Sequence, residues 1–380
     1  MPHPARLAVA APLFAVALLV GLAVIGPLRP AAAKDKAPPT GKVVEQTTAK
    51  HARAWSLYVP SQYSTKKSWP LVISSHGRGG SGKGEMRAWQ GLANRHGFIV
   101  ACPDMVTATN HRPAKSKLAP STEDDEVLLE IHATITKHFR VNPRAVMVTG
   151  FSGGGNPSYH SGLRHPEVFT HICTRGGNFA PQQIPGNDAV IAAGRKHLRI
   201  YIFFGDKDHV LIVGDPDGTG QAFTAKAALE KNGYEHIEFE RVEGMKHQSR
   251  PDKAAAWLGA YVDAHKKAFK AADQSDALIE KAQAARAKGK TKDAVKHALK
   301  ARQIERKNKL SERSARVLDE LEKAARARLD EAQALADAGD TKGALKRAAA
   351  IKRDCRGLEA AEAAAALEKA WKAAAKAAGK

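Results

Sequence analysis

Ser152 lies in a segment whose residue types favour nucleophilic chemistry. Gly150-Phe151-Ser152-Gly153-Gly154 matches the pattern G-x-S-x-G and directly follows an apolar, β-branched run at residues 146–149. To act as a nucleophile, a serine hydroxyl must project from the sheet and have a base nearby. A sharp strand-to-helix turn flanked by glycines exposes the hydroxyl in this way. Asn156-Pro157 follows as a helix start. An ordinary glycine-rich loop between a strand and a helix is the alternative, so other segments must supply the partners.

Two later loops offer the acid and the base that a serine nucleophile requires. A buried apolar strand over 200–204 is followed by Asp206, Asp208 and His209, and a second strand is followed by His247. Serine, acid and histidine thus occur in the order of one known triad, each after a strand, where a parallel sheet gathers its site residues. We expect Asp208 to orient His247, and Asp206 to form a turn. His209 competes as the base, but it adjoins the acid and should point elsewhere.

A glycine-rich loop at residues 75–82 is a candidate for binding the oxygen of an attacked carbonyl. Backbone N–H groups approach a substrate closely where glycines remove side chains. We expect the N–H of Gly153, directly after the nucleophile, and the N–H of Arg78 to form this oxyanion hole. Gly79 is the alternative second donor and a candidate substrate contact. The loop lacks Gly-Lys-Ser/Thr in the register of a phosphate-binding loop.

Two aromatic residues are candidates for lining an acyl pocket. Phe151 directly precedes the nucleophile, and Trp89 follows the glycine-rich loop. Ordinary core packing is the alternative for both, and we favour it for Trp89. Lids in such folds usually enter before the acid strand, and residues 178–197 leave room only for a small one. An open site of this kind suits a bulky or polymeric ester.

The composition limits the classes of function. The chain has 380 residues and a net charge of +21, with the positive excess densest after Lys266. A positive charge of this size first suggests that the protein binds nucleic acid or an anionic surface. Aromatic residues are not interleaved with the basic ones, so we expect no nucleic-acid partner. Cys102, Cys173 and Cys355 have no metal-ligand spacing and cannot make a disulfide framework. A serine mechanism uses no metal or organic cofactor, and we expect none.

Residues 1–33 are predicted to be an export signal or a membrane anchor. A short basic segment precedes a long apolar run, and Ala31-Ala32-Ala33 fits a small-residue cleavage site. The run is longer than that of most cleaved signals, so anchoring through residues 7–28 is the alternative. In both cases we expect the protein to be secreted, periplasmic or held in the cell envelope. Residues 34–48, with Lys, Pro and Gly, are predicted to be a linker.

Strands and helix-length segments alternate from residue 49 to residue 265. This alternation predicts an α/β domain with a mostly parallel sheet flanked by helices. A helix is predicted over residues 123–139, and its capping region is Ser121 to Asp124. The predicted strands cover residues 54–60, 70–75, 97–102, 145–149, 169–174, 198–204 and 236–242.

Residues 266–380 change to a composition dominated by Ala, Lys, Arg and Glu, without proline. Gly289-Lys290-Thr291-Lys292 aligns with Gly339-Asp340-Thr341-Lys342, so the segment repeats after about 50 residues. Each copy suggests a helix, a glycine turn and a second helix, which predicts two tetratricopeptide-like helix pairs. This helical tail is a candidate platform for a protein or for envelope polyanions. A solvated stalk whose lysines confer only solubility is the alternative.

Several motifs within residues 49–265 resemble those of one hydrolase group. The motifs are Leu57-Tyr58-Val59-Pro60, His76-Gly77, Pro103-Asp104, Val141-Asn142-Pro143-Arg144, Gly150-Phe151-Ser152-Gly153-Gly154 and His165-Pro166-Glu167. In this order they resemble the secreted polyhydroxybutyrate depolymerase and feruloyl esterase group of α/β-hydrolases. They are also similar to prolyl-oligopeptidase-like and carboxylesterase relatives. The resemblance implies the α/β-hydrolase fold and an exported esterase that uses Ser152, Asp208 and His247.

One departure from that group concerns the first oxyanion loop. Some members have a cysteine there, where this chain has Arg78. The guanidinium either favours an anionic substrate or faces solvent. Two other functions stay open: a serine peptidase similar to prolyl oligopeptidases, and a non-catalytic hydrolase-like scaffold whose tail binds a partner.

Overall fold

A single mixed sheet organises the first two thirds of the chain. The computed structural model describes residues 37–109, 120–209 and 220–378. Its strands are β1 (Val43–Thr47), β2 (Ala54–Tyr58), β3 (Trp69–Ser75), β4 (Ile99–Pro103), β5 (Val141–Phe151), β6 (His171–Arg175), β7 (Arg199–Gly205) and β8 (His236–Val242). Across those ranges they form an eight-stranded sheet in the order β1-β2-β4-β3-β5-β6-β7-β8. β1 and β2 are antiparallel to their neighbours, and every pair from β4 to β8 is parallel.

Helices cover both faces of the sheet. Every residue of β3, β4 and β6 is buried, as expected for parallel strands that are covered on both faces. Leu71 and Ile73 pack into one core, whereas Val72 between them packs into the core on the opposite face. The helices of this domain are α1 (Gly82–His96), α2 (Val106–Thr109), α3 (Pro120–His138), α4 (Gly155–Arg164), α5 (Ala189–Arg195), α6 (Gln221–Lys231) and α7 (Pro251–Ala264). This arrangement is the predicted α/β-hydrolase fold.

The predicted linker at residues 34–48 is too long at its carboxyl end. Val43–Thr47 forms β1, which pairs with β2 in the register Val43 opposite Tyr58. The burial of β1 alternates between exposed and half-buried residues, as expected for an edge strand. Lysine, proline and glycine are concentrated at residues 34–42, whereas the five-residue strand that follows contains none of them and is stabilised by pairing with β2.

The tail folds as antiparallel helix pairs followed by one more helix. Its helices are α8 (Lys266–Ala287), α9 (Thr291–Lys307), α10 (Ser314–Asp337), α11 (Thr341–Asp354) and α12 (Glu359–Ala378). Gly289 and Gly339 have φ angles of 68° and 86°, and they occupy equivalent turns in the two pairs. Glycine adopts this left-handed conformation without the penalty that a Cβ would impose. The helix–glycine–helix repeat of the sequence therefore corresponds to two real helix pairs.

The helical tail contacts the sheet at the amino-terminal ends of its strands. The Ser68 N–H, directly before β3, donates to the Asp273 carboxylate at 3.0 Å. Arg140, directly before β5, lies 3.7 Å from the carboxylate of Glu280. The tail thus meets the edge of the sheet opposite the carboxyl ends of the strands.

Among the residues with described positions, none of the helices combines the length and apolarity needed to cross a membrane. The predicted signal or anchor at residues 1–33, with its apolar run at 7–28, lies outside the described ranges.

Candidate active site

Ser152 occupies a strained turn between β5 and α4. β5 ends at Phe151, residues 152–154 form a single 3₁₀ turn, and α4 begins at Gly155. Ser152 has φ 51°, a left-handed conformation that is uncommon for residues with a side chain and is often found at functional sites. A Cβ on Gly150 would lie 1.9 Å from the carbonyl oxygen of Gly154, so only glycine lets the chain turn this sharply. The predicted strand-turn-helix around the serine is confirmed.

His247 and Asp208 form a hydrogen-bonded pair beside this turn. His247 Nδ1 lies 2.9 and 3.0 Å from the two carboxylate oxygens of Asp208. The Asp208 side chain is fully buried, whereas the His247 side chain is 22% exposed. An Nδ1–H that donates to the carboxylate leaves Nε2 unprotonated and able to accept a proton. The geometry pairs His247 with Asp208, the carboxylate favoured from the sequence.

The end of β6 packs against the same pair. Gly176 follows β6 with φ 52°, and its N–H donates to the Phe203 carbonyl at 2.7 Å. A Cβ at this position would lie 3.1 Å from Asp208 Oδ2 and 3.6 Å from His247 Nδ1. Glycine is therefore required for the backbone to support the pair this closely.

Direct contacts join the serine turn to the histidine loop. The Asn178 N–H, from the loop after β6, donates to the Ser152 carbonyl oxygen at 2.8 Å. The ring centroids of Phe151 and His247 are 4.7 Å apart. Ser152, Asp208 and His247 follow β5, β7 and β8, so all three lie at the carboxyl edge of the sheet. This is the edge at which α/β sheets place their sites.

The loop after β3 forms a tight turn next to the serine. The Gly80 N–H donates to the Gly77 carbonyl at 3.0 Å, and Gly79 has φ 74°. These values define a type II turn with Arg78 in its second position. Arg78 is exposed. Gly77 packs on the ring of Phe151, because a Cβ on Gly77 would lie 2.9 Å from Cδ1 of that ring.

His76 fixes the base of this turn. Its Nδ1 lies 2.7 Å from the Gly77 carbonyl oxygen, and the Met105 N–H donates to its Nε2 at 3.2 Å. Since Nε2 accepts, Nδ1 carries the proton and donates to the carbonyl. The His76 carbonyl also lies against Gly154, where a Cβ would approach it to 2.6 Å. The candidate oxyanion loop and the turn containing Gly153 are therefore packed together.

Arg175 is a buried residue of the site that sequence reasoning missed. Its side chain is fully buried, and Nη2 lies 2.6 Å from Glu85 Oε1. Nε donates to Thr149, and Nη1 donates to the Ser249 hydroxyl, two residues after His247. Arg175 thus ties the histidine loop to the interior of the domain. An arginine at the end of a predicted buried strand is the signal that could have revealed it.

Glu85 compensates the buried charge of Arg175. Burial by itself raises the pKa of the Glu85 carboxyl, but the Arg175 charge and hydrogen bonds from Ser74 and Trp89 hold it below its ordinary value. Ser74 Oγ donates to Glu85 at 2.7 Å and accepts from Arg175 at 2.9 Å. A buried pair with these additional partners is a satisfied polar network.

Trp89 does not line a substrate pocket. It is fully buried among apolar side chains, and its indole N–H donates to Glu85 at 2.9 Å. Helix α1 turns this residue toward the sheet, where the network around Glu85 satisfies its polar atom. Phe151 remains half-buried beside His247, and His209 is exposed.

The thiols and carboxylates elsewhere do not form a metal site in the described ranges. No group of three or more His, Cys, Asp or Glu side chains there is arranged to hold a metal ion. Cys102 and Cys173 are buried free thiols. Burial raises the pKa of Cys173 to about 12, so this thiol stays protonated and unreactive.

Several solved hydrolase structures are similar to part of the chain. An S-formylglutathione hydrolase from Staphylococcus aureus is 15% identical, with a TM-score of 0.43 over 57% of this chain and 98% of that chain. An acetyl xylan esterase from Aspergillus awamori is 14% identical, with a TM-score of 0.43 over 58% of this chain and 99% of that one. A ferulic acid esterase from Anaeromyces mucronatus is 16% identical, with a TM-score of 0.43 over 61% and 92%.

No curated protein sequence matches the chain significantly. The model of the Esterase family matches residues 47–268, which is more than half of the chain and includes the whole sheet except the first four residues of β1. The chain therefore belongs to the Esterase family and is an ester hydrolase of the α/β-hydrolase type.

Proposed function

We propose that the protein hydrolyses carboxylic esters by a Ser-His-Asp triad of Ser152, His247 and Asp208. The observation that carries this proposal is the His247–Asp208 hydrogen bond of 2.9 Å beside a serine with φ 51°. Ser152 Oγ attacks the ester carbonyl while His247 Nε2 takes its proton. Buried Asp208 holds the imidazole in the required tautomer and stabilises the imidazolium that forms. This assignment makes the strained turn part of the catalytic machinery.

Two backbone amides bind the oxyanion in this mechanism. Gly153 N–H follows the nucleophile at the start of the turn, and Arg78 N–H projects from the turn after β3. The protonated His247 then gives its proton to the alcohol, which leaves, and Ser152 is acylated. Water activated by His247 attacks the acyl-enzyme and releases the acid, so that Ser152 regains its proton. Neither half-reaction requires a metal or an organic cofactor.

The proposed substrate is a bulky or polymeric ester. Residues 178–197 contain only a short 3₁₀ turn at Pro181–Gln183 and helix α5, so this segment forms no large lid over the carboxyl edge. Phe151, half-buried against His247, is the proposed acyl contact, with Gly79 at the rim of the oxyanion turn. The resemblance to feruloyl esterases and polyhydroxybutyrate depolymerases supports the same class of substrate.

We further propose that the protein is exported and that its helical tail makes an attachment. Support for export comes from residues 1–33, whose composition is that of a cleaved signal or of an anchor through residues 7–28. The excess of positive charge after Lys266 supports attachment to a protein or to envelope polyanions. Because the tail meets the amino-terminal ends of the strands, such an attachment leaves the carboxyl edge open to substrate.

The first test is hydrolysis of p-nitrophenyl acetate, butyrate and octanoate by the full-length protein and by Ser152→Ala. We expect activity that Ser152→Ala abolishes, and a fluorophosphonate probe that labels wild type only. The chain-length profile then measures the acyl pocket, and methyl ferulate tests the bulky aromatic class. Activity on peptide substrates alone would favour the serine peptidase. Absence of both activities and of labelling would favour the non-catalytic scaffold.

The second test separates the two neighbouring carboxylates. Asp208→Asn preserves the shape of the side chain but stabilises the wrong histidine tautomer, so kcat should fall by about 10⁴-fold. Asp206→Asn is the matched control, because Asp206 lies in the same turn and makes no hydrogen bond to His247. Equal losses in the two variants would contradict the assignment of Asp208.

A further inference from the structure

An open basic groove of about 830 Å³ lies on the helical tail. It is lined by α9, by the end of α11 and by the turn that follows α11. Leu299 and Gln303 contribute its accessible uncharged surface, Val295 is buried beneath them, and Asp354 is the single carboxylate of the lining. The six cations of the lining are Lys292, Lys296, Lys300, Lys352, Arg353 and Arg356. The groove thus combines the apolar surface of Leu299 and of the lysine stems with concentrated positive charge.

Most of this charge has no ion-pair partner among the described residues. Lys352 pairs with Glu368 at 2.6 Å, and Arg353 pairs with Asp354 at 2.8 Å. The other four cations make no ion pair with any residue that the structure describes. Three of them follow one another at every fourth position of α9, about 6 Å apart. Like charges at this spacing destabilise a helix, so an anionic ligand would stabilise the region.

The tail itself shows how a helix that carries glutamates packs against such a surface. Glu368 of α12 lies 2.6 Å from Lys352 of α11, and Glu359 of α12 lies 2.7 Å from Arg326 of α10. Beside these pairs α11 and α12 bury small apolar residues, among them Ala348 and Ala364. Helix α12 therefore packs on its neighbours through buried small apolar residues, with ion pairs between basic and acidic side chains on either side of them. The groove presents the apolar and basic half of that arrangement.

We infer that the groove binds an amphipathic acidic helix of a partner protein. Carboxylates at every fourth position of a helix repeat at about 6 Å, which matches the lysine row of α9. Half-buried Leu299 and the alkyl stems of the lysines offer contact to apolar side chains, which a phosphate polymer does not possess. A second copy of this chain is a poor occupant, because two molecules of net charge +21 repel each other. The partner is thus a protein whose docking helix carries Glu or Asp beside an apolar stripe.

Fluorescence anisotropy with a labelled amphipathic peptide of glutamate and leucine tests this inference on the full-length protein. We expect saturable binding that Lys296→Glu/Lys300→Glu weakens about tenfold. Lys231→Glu/Lys281→Glu is the matched control, since both lysines are exposed helix residues outside the groove and the change in net charge is equal. The control should change the Kd by less than about twofold. A scrambled peptide of equal charge should bind more weakly than the amphipathic one.

Three results would overturn the inference. The first is no binding of the amphipathic peptide, and the second is equal loss in the groove variant and its control, which would show attraction by net charge alone. The third is tighter binding of inorganic polyphosphate that displaces the peptide, which would assign the groove to an extended polyanion. Hydrolysis of p-nitrophenyl esters by the same variants should remain at the wild-type rate. Failure of docking and failure of the proposed ester hydrolysis are therefore distinguished.

Discussion

Replacing Arg78 by proline removes one backbone N–H while keeping the turn that presents it. Arg78 is the second residue of a turn that Gly80 N–H and the Gly77 carbonyl close at 3.0 Å, with Gly79 at φ 74°. Proline is favoured at the second position of this type II geometry. The Arg78 N–H has no hydrogen-bond partner within the described ranges, and the side chain is exposed. The substitution therefore breaks no internal contact, and Tm should be retained.

Arg78→Pro should lower kcat, because it removes a hydrogen bond that stabilises the transition state. Loss of one oxyanion donor costs about 3 kcal/mol, which corresponds to a decrease in kcat of about 100-fold. The assay is steady-state hydrolysis of p-nitrophenyl butyrate beside thermal unfolding of each variant. Arg78→Ala is the control, because it removes the guanidinium and keeps the N–H. For the control we expect kcat within about threefold of wild type.

Two outcomes bear directly on this reasoning. A kcat for Arg78→Pro within about threefold of wild type would refute the role of this N–H and transfer it to Gly79. Equal losses in Arg78→Pro and Arg78→Ala would show instead that the guanidinium contacts the substrate. A loss of kcat confined to esters that carry a carboxylate would further support contact between the guanidinium and the substrate.

Two further predictions concern buried charges. Arg175→Met leaves the Glu85 carboxylate unpaired, so urea titration should show a loss of about 3–5 kcal/mol in the free energy of unfolding. Adding Glu85→Gln should restore most of that stability but not kcat, because the histidine loop still lacks its anchor. Hydrogen bonds to Asp125 and Glu167 raise the pKa of His165 to about 9. Since the unfolded value is near 6.5, this stabilisation is complete below pH 6.5 and is lost as the pH rises through 9. The difference in unfolding free energy between wild type and His165→Gln should shrink by roughly 3 kcal/mol between pH 6 and pH 10, and a constant difference would contradict the shift.

Local sequence was sufficient to predict the structure of those short segments that determine their own conformation. The glycines around Ser152 predicted a strand-turn-helix, because the sharp turn depends on close approach within five residues, Gly150 to Gly154. Gly289 and Gly339 likewise predicted the turns of the helical tail, because each requires a left-handed residue. The alternation of strands with helix-length segments predicted a mostly parallel sheet, because neighbouring parallel strands need a crossover connection between them.

Contacts between distant segments were decided only by the tertiary structure. Arg175 meets Glu85 across 90 positions and Ser249 across 74, and no local pattern specifies either partner. Trp89 faces the core because helix α1 packs on the sheet in one particular rotation, which the sequence near Trp89 does not reveal. β1 pairs with β2 at the edge of the sheet, although the residues that directly precede it have the composition of a linker.

The sequence by itself determined the order of Ser152, Asp208 and His247 and the strand that precedes each one. Only the tertiary structure brought Asp208, rather than Asp206, to within 2.9 Å of His247. The physical reason is that strand and turn propensities act over a few residues, whereas the position of a side chain in a site depends on which strands become neighbours in the sheet.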